Sequence, residues 1–157
     1  MVFKSSLDKV ILNRTLRFCL FIPLPILFFN SFPYTEISTY SIIASVFFTV
    51  VIFISYLRKP KSILIGETQI IIDRLIGNIF LEKSDIKFID IIRFNLLENV
   101  MKGGIFGYNL KANTEIGEVQ FYTTKSDSFI LLVKNNSEAI AISPDNPEKF
   151  IEEYNKI

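Results

Sequence analysis

The 157-residue chain contains no histidine and no tryptophan, and Cys19 is its only cysteine. Without His it lacks the commonest general base, the commonest metal ligand and the usual switch near neutral pH. A lone Cys permits no internal disulfide and no CxxC metal or redox pair. In its apolar run the Cys19 thiol reads as a small hydrophobe, with acylation of a membrane-proximal Cys left open. Neither sign of charge is in excess, since 17 Lys and Arg face 16 Asp and Glu. No basic stripe could neutralise successive phosphates, so no nucleic-acid partner is expected.

Apolar residues make up half of the chain, with sixteen Phe among them, and they come in long runs only near the start. From Ile37 to Leu57 there is no charge, and Arg58, Lys59 and Lys61 follow at once. As a helix rising ~1.5 Å per residue, that stretch matches the ~30 Å hydrocarbon core of a bilayer. A second uncharged stretch, Phe18–Thr35, contains Pro23 and Pro25, which a membrane helix tolerates. The expectation is a transmembrane helical hairpin over 16–57, with spans at about 16–34 and 37–57 and a turn around Pro33. A cleaved signal peptide or a re-entrant helix stays open for the first run, although no small-x-small site follows it.

Lys4, Lys9, Arg14 and Arg17 precede the first run, and the next cluster follows the second. By the positive-inside rule both ends then face the cytoplasm. The expected location is the bacterial inner membrane, multi-pass, with residues 1–15 a cytoplasmic N-terminal segment. Arg14, Arg17, Arg58, Lys59 and Lys61 would be its membrane-edge basic residues. Leu7, Val10, Ile11 and Leu16 fall roughly on one face of a possible short amphipathic helix in this segment.

Beyond Lys61 short apolar runs alternate with turn residues. Ile63–Ile65, Gln69–Asp73, Ile79–Leu81, Ile86–Phe94, Tyr108–Ala112, Glu118–Thr123, Phe129–Lys134 and Ala139–Ser143 read as strands. Gly66-Glu67-Thr68, Gly77-Asn78 and Asn135-Asn136 mark turns. For Ile86–Phe94 periodicity alone leaves a helix open. At the end, Asp145 or Asn146 can cap a helix that starts at Pro147, with Phe150, Ile151 and Tyr154 as its apolar stripe. The fold class is α+β: the hairpin, then a mainly antiparallel split barrel over 60–157 closed by a C-terminal helix.

That layout ends in Ile-Ser-Pro-Asp-Asn-Pro-Glu-Lys-Phe-Ile (Ile142–Ile151). It also carries Gly103-Gly104-Ile105-Phe106-Gly107-Tyr108, then Ile116-Gly117 and Phe121-Tyr122-Thr123-Thr124. With these segments it resembles the bacterial pleckstrin-homology-like domain family, members of which are commonly joined to a two-helix membrane prefix. The resemblance implies a pleckstrin-homology-like barrel with a capping helix, and implies no catalysis and no cofactor. The phosphoinositide-binding domains of eukaryotes use several Lys and Arg around the first hairpin. Here that turn is the acidic Gly66-Glu67-Thr68, which argues against phosphoinositide recognition.

Lys102, Gly103, Gly104, Phe106, Gly107 and Tyr108 form the candidate ligand or partner loop. Glycines at positive φ in a tight turn explain the same residues without any ligand. It is not a P-loop, because no Gly-Lys-Ser/Thr follows. Asp85, Asp90, Glu98 and Glu115 show no spacing of paired catalytic carboxylates. The expected function is a non-catalytic, membrane-anchored interaction or sensing module, whose partners are the lipid bilayer and a membrane protein or peptide. Its rival is a structural subunit of a membrane complex, recognised through small residues such as Ala44 and Ser45 on the hairpin.

Overall fold

Short β-branched runs separated by turn residues build two packed sheets, accompanied among the described residues by three helices. The structure, a computed structural model of the chain, describes residues 1–21, 35–92, 106–114, 117–125 and 128–156. The chain starts with β1 (Val2–Lys4), α1 (Lys9–Phe21) and α2 (Thr35–Leu57). Strands β2 (Pro60–Ile65), β3 (Gln69–Arg74) and β4 (Ile79–Glu82) follow, then a 3-10 turn, Lys83–Asp85. The second half holds β5 (Ile86–Ile92), β6 (Tyr108–Thr114), β7 (Gly117–Thr123), β8 (Phe129–Lys134), β9 (Ala139–Ile142) and α3 (Pro147–Lys156).

The first sheet has the order β1-β2-β3-β4 and the second β5-β8-β9-β7-β6. Among the described residues every strand pairing is antiparallel except β7 with β9. Mainly antiparallel sheets with a C-terminal helix fit the pleckstrin-homology-like fold expected for 60–157, and residues 86–92 are strand rather than helix. The expected turn at Gly66 is closed by its N–H donating to the Gln69 carbonyl at 2.9 Å. After Asn135-Asn136 it is Ser137 that takes positive φ, at 66°. Asn136 Oδ1 instead accepts the Glu138 N–H, an Asx-type turn.

Alternation along the strands explains where the core lies. Ile63, Ile65, Ile70, Ile72 and Leu81 of the first sheet meet Ile130, Leu132, Ile140 and Ile142 of the second. Phe3 of β1 and Phe150 of α3 close this layer, ring edge to face with centroids 5.1 Å apart. The opposite face of the second sheet carries Val119, Phe121, Phe129, Leu131 and Ala141, packed with Ile11 of α1. Burial on both faces is why β8 and β9 read as unbroken apolar runs.

The N-terminus differs from the expected lead-in. Val2–Lys4 pairs with β2, Val2 opposite Leu64 and Lys4 opposite Ser62. Asp8 then starts α1, its Oδ1 accepting the Ile11 N–H at 2.6 Å. Of the expected stripe Leu7, Val10, Ile11 and Leu16, only Ile11 is fully buried, while Val10 and Leu16 are exposed. The packed face is set by Ile11 and Thr15, one helical turn apart, with Thr15 taking a hydrogen bond rather than an apolar contact.

The membrane expectations also change. Residues 22–34, with most of the first expected span and its turn, lie outside the described residues. Among the described residues no helix is long and apolar enough to cross a membrane. That corrects the multi-pass inner-membrane location with cytoplasmic termini, and it leaves the transmembrane hairpin unsupported.

Asn146 caps α3, its Oδ1 accepting the Lys149 N–H at 3.0 Å. Asp145 turns to the N-terminal segment instead, accepting the Ser6 N–H at 2.9 Å and the Ser6 hydroxyl at 2.6 Å. Burial alone would raise the Asp145 carboxyl, but the two Ser6 bonds and Lys125 at 3.6 Å together hold it below its ordinary value. A depressed carboxylate stabilises the fold at pH above its unfolded pKa, and that contribution is lost as pH falls through the folded value. Asp145→Ala is expected to cost about 1 kcal/mol at pH 6, because the site is partly open to solvent. In urea unfolding the gap from wild type should close below about pH 4. A gap that stays constant to pH 2 would contradict this assignment.

Candidate functional site

The antiparallel register brings several distant cations to one end of the first sheet. Lys4 stands opposite Ser62, and Pro60 stands opposite Arg74. Both pairs lie where α2 runs into β2, so Arg58, Lys59 and Lys61 share that end. The ladder between Pro60 and Ser62 is irregular, which takes Lys61 out of regular pairing. Lys4, Lys59 and Lys61, with Ser5, Ser6 and Ser62, line an open cleft of about 610 Å³.

The hydroxyls in this cleft are committed inward. Ser6 donates to Asp145, and Ser62 donates to Asp73 Oδ2 at 3.0 Å. Ser5 Oγ lies 2.8 Å from Thr124 Oγ1 and donates to the Ser143 carbonyl at 2.9 Å. Thr124 N–H in turn donates to Ser143 Oγ at 2.7 Å. This buried Ser5–Thr124–Ser143 cluster latches the N-terminal segment to the ends of β7 and β9. With those groups occupied, the cleft offers the three ammonium groups to a ligand. Among the described residues no ion pair involves Lys4, Arg58, Lys59 or Lys61.

The junction itself is braced. Arg58 and Lys59 N–H donate back to the Ile54 and Tyr56 carbonyls, finishing α2, and Pro60 cannot continue it. The Ile76 N–H, from the β3–β4 turn, donates to the Leu57 carbonyl at 3.2 Å and satisfies one of the helix's last acceptors. Within that turn Asn78 Oδ1 accepts the Arg74 N–H at 2.9 Å, and the Arg74 guanidinium donates to the Gly77 carbonyl. Gly77 permits this with φ of 72°. Arg74 also lies 5.7 Å from the centre of the Tyr122 ring. Burial lowers the Arg74 pKa, Tyr122 opposes that shift, and nearby Arg58 adds to it. Two guanidinium groups therefore repel each other at this end of the sheet.

A smaller groove of about 230 Å³ runs beside β4, over Leu81, Gln120, Tyr122 and Ile140. Its charges are paired with one another, Lys111 with Glu118 at 3.7 Å and Lys134 with Glu138 at 3.2 Å. It leaves no charge uncompensated, so the basic cleft is the better candidate for recognition. Among the described residues no group of Cys, Asp or Glu side chains could hold a metal ion.

The structure distributes the sequence candidates unevenly. Lys59 and Lys61 meet in the cleft, joined there by Lys4, and Arg58 stands beside Arg74. Arg14 and Arg17 lie on α1 and do not line the cleft. Lys102, Gly103 and Gly104 lie outside the described residues. Phe106, at φ 60°, donates its N–H to Thr15 Oγ1 at 3.0 Å and sets its ring against Tyr56, centroids 5.3 Å apart. Gly107 is buried against the Thr123 carbonyl, and Tyr108 opens β6 opposite Thr123. Nothing in the sequence placed Lys4 or Arg74 with this cluster, because only the pairing of β1, β2 and β3 brings them to α2.

No curated protein and no solved structure matches the chain. The family model described as Bacterial PH domain matches residues 61–157, from the second residue of β2 through α3. That match covers more than half of the chain and contains both sheets except β1. Family match, two sheets and closing helix agree, and the chain belongs to the bacterial PH domain family.

Proposed function

We propose that this chain is a non-catalytic interaction or sensing module that works at an anionic lipid surface, which it meets with the basic end of its first sheet. The observation that carries this reading is the convergence of Lys4, Arg58, Lys59 and Lys61 on one end of the sheet, without an acidic partner among the described residues. Near an anionic membrane each such cation contributes roughly 1 kcal/mol. The acidic Gly66-Glu67-Thr68 turn lies at the opposite end of β2, so a multivalent phosphoinositide held at that hairpin does not fit. A peptide partner is less well supported, because the groove beside β4 has closed its charges on themselves. Confinement to a surface would raise the domain's effective concentration for anything else bound there.

Replacing Lys4, Lys59 and Lys61 together by Gln tests this reading. Affinity of the full chain for phosphatidylglycerol vesicles should fall tenfold or more. Lys4 and Lys61 are exposed and Lys59 half-buried, so the unfolding transition should stay within about 1 kcal/mol of wild type. Undiminished vesicle binding by a folded triple variant would refute the reading.

A further inference from the structure

The β3–β4 turn has an unusual outer edge. Tight turns favour Gly, Asn, Asp and Ser, yet the two residues before Gly77-Asn78 are Leu75 and Ile76, 53% and 58% exposed. They are held out rigidly: the Arg74 guanidinium and the Asn78 side chain fix the turn, and the Ile76 N–H ties it to the Leu57 carbonyl. Next to it, the last turns of α2 expose Phe53, Ile54 and Tyr56. Arg58, Lys59 and Lys61 follow directly in sequence, with no acidic partner among the described residues. An apolar tip beside unpaired cations is complementary to one kind of surface, an anionic headgroup layer over hydrocarbon. A water-facing surface would gain nothing from two exposed aliphatic side chains fixed on a braced turn.

We propose that the β3–β4 turn is a membrane wedge: Leu75 and Ile76 enter the boundary between headgroups and acyl chains while Arg58 and Lys59 meet the lipid phosphates. The wedge reaches the outer ~5–10 Å of one leaflet and crosses nothing. Tyr56, with its ring against Phe106 and 44% of its surface open, sits where an amphipathic aromatic is stable at such a boundary. A lipid phosphate near Arg58 would also relieve its repulsion with Arg74. The inference rests on the proposed action at an anionic lipid surface and adds a part of the molecule that charge alone does not require.

The chain has no Trp, so Leu75→Trp introduces a single reporter into the full-length protein. With vesicles of phosphatidylglycerol and phosphatidylcholine, its emission should shift to the blue and be quenched by brominated acyl chains. Leu75→Ser with Ile76→Ser should weaken vesicle binding about tenfold. The salt dependence should remain, because the cations are untouched. Both positions are exposed, and an unfolding curve matching wild type confirms that the variants fold. If the indole is not quenched and the double Ser variant binds like wild type, the wedge is refuted while salt-sensitive binding still upholds the lipid-surface reading. If wild type binds anionic and neutral vesicles alike without salt dependence, that reading fails too. Self-association without lipid that the double Ser variant abolishes would assign the tip to a second copy of this chain and overturn the wedge.

Discussion

Phe150→Ala is expected to lower the unfolding free energy by about 3–5 kcal/mol, a large part of the ~5–15 kcal/mol available to a domain. Phe150 is fully buried and is the residue through which α3 enters the core between the sheets. Its ring meets Phe3 edge to face, and Phe3 belongs to the strand that carries Lys4. The truncation leaves a cavity beside Phe3 in the core between the sheets, which close-packed strands cannot collapse to fill. Hydrogen exchange should show β1 losing protection before β8, since β1 is an edge strand and β8 lies inside its sheet. Phe150→Leu keeps most of the volume and should cost about 1.5 kcal/mol or less. Urea unfolding of both variants checks the pair, and a Phe150→Ala cost below 1 kcal/mol would contradict the packing described.

Gly107→Ala is expected to cost about 3 kcal/mol or more, although it adds one methyl group. Gly107 has φ of 111°, where an L side chain is strained by roughly 1–3 kcal/mol. A Cβ there would also stand 2.5 Å from the Thr123 carbonyl oxygen, a backbone atom with no rotamer to yield. The strain can be relieved only by moving the start of β6 away from Thr123, its partner across from Tyr108. Gly117, with φ of 104° but nothing within 4 Å of its would-be Cβ, separates the two effects. Gly117→Ala should cost only the backbone part, and equal costs for the two variants would show that the clash at Gly107 is unimportant.

Much of the barrel was legible because strand alternation and turn chemistry are local signals. Gly66, Gly77 and Pro147 stand at the boundaries they mark, and Phe150, Ile151 and Tyr154 pack inward from α3 as their spacing implied. Three features were not legible. Val2–Lys4 is too short to show a period and becomes a strand only by pairing with β2. The parallel contact of β7 with β9 skips β8, the strand between them in sequence, and nothing local announces it. The uncharged stretch before Arg58 was visible as composition, but composition did not settle whether a helix there crosses a bilayer.

The candidate site divides along the same line. Arg58, Lys59 and Lys61 could be picked out as a charge cluster, whereas Lys4 and Arg74 join them through register alone. The Gly-rich segment stands out in the sequence through its glycines. Its described part, Phe106 and Gly107, is occupied with Thr15, Tyr56 and the Thr123 carbonyl. Leu75 and Ile76 carry no signal in the sequence, because two aliphatics beside a strand read as core until their exposure is known.

Flotation of the full-length wild-type chain with vesicles, at rising salt, addresses most directly whether the basic end of the first sheet acts at an anionic lipid surface. Binding to phosphatidylglycerol vesicles should exceed binding to phosphatidylcholine by tenfold or more at low ionic strength, and the difference should shrink as the Debye length falls from ~10 Å at 0.1 M toward ~3 Å at 1 M. Equal affinity for both lipids at every salt concentration would show that the cations gathered around Lys4, Lys59 and Lys61 serve another purpose.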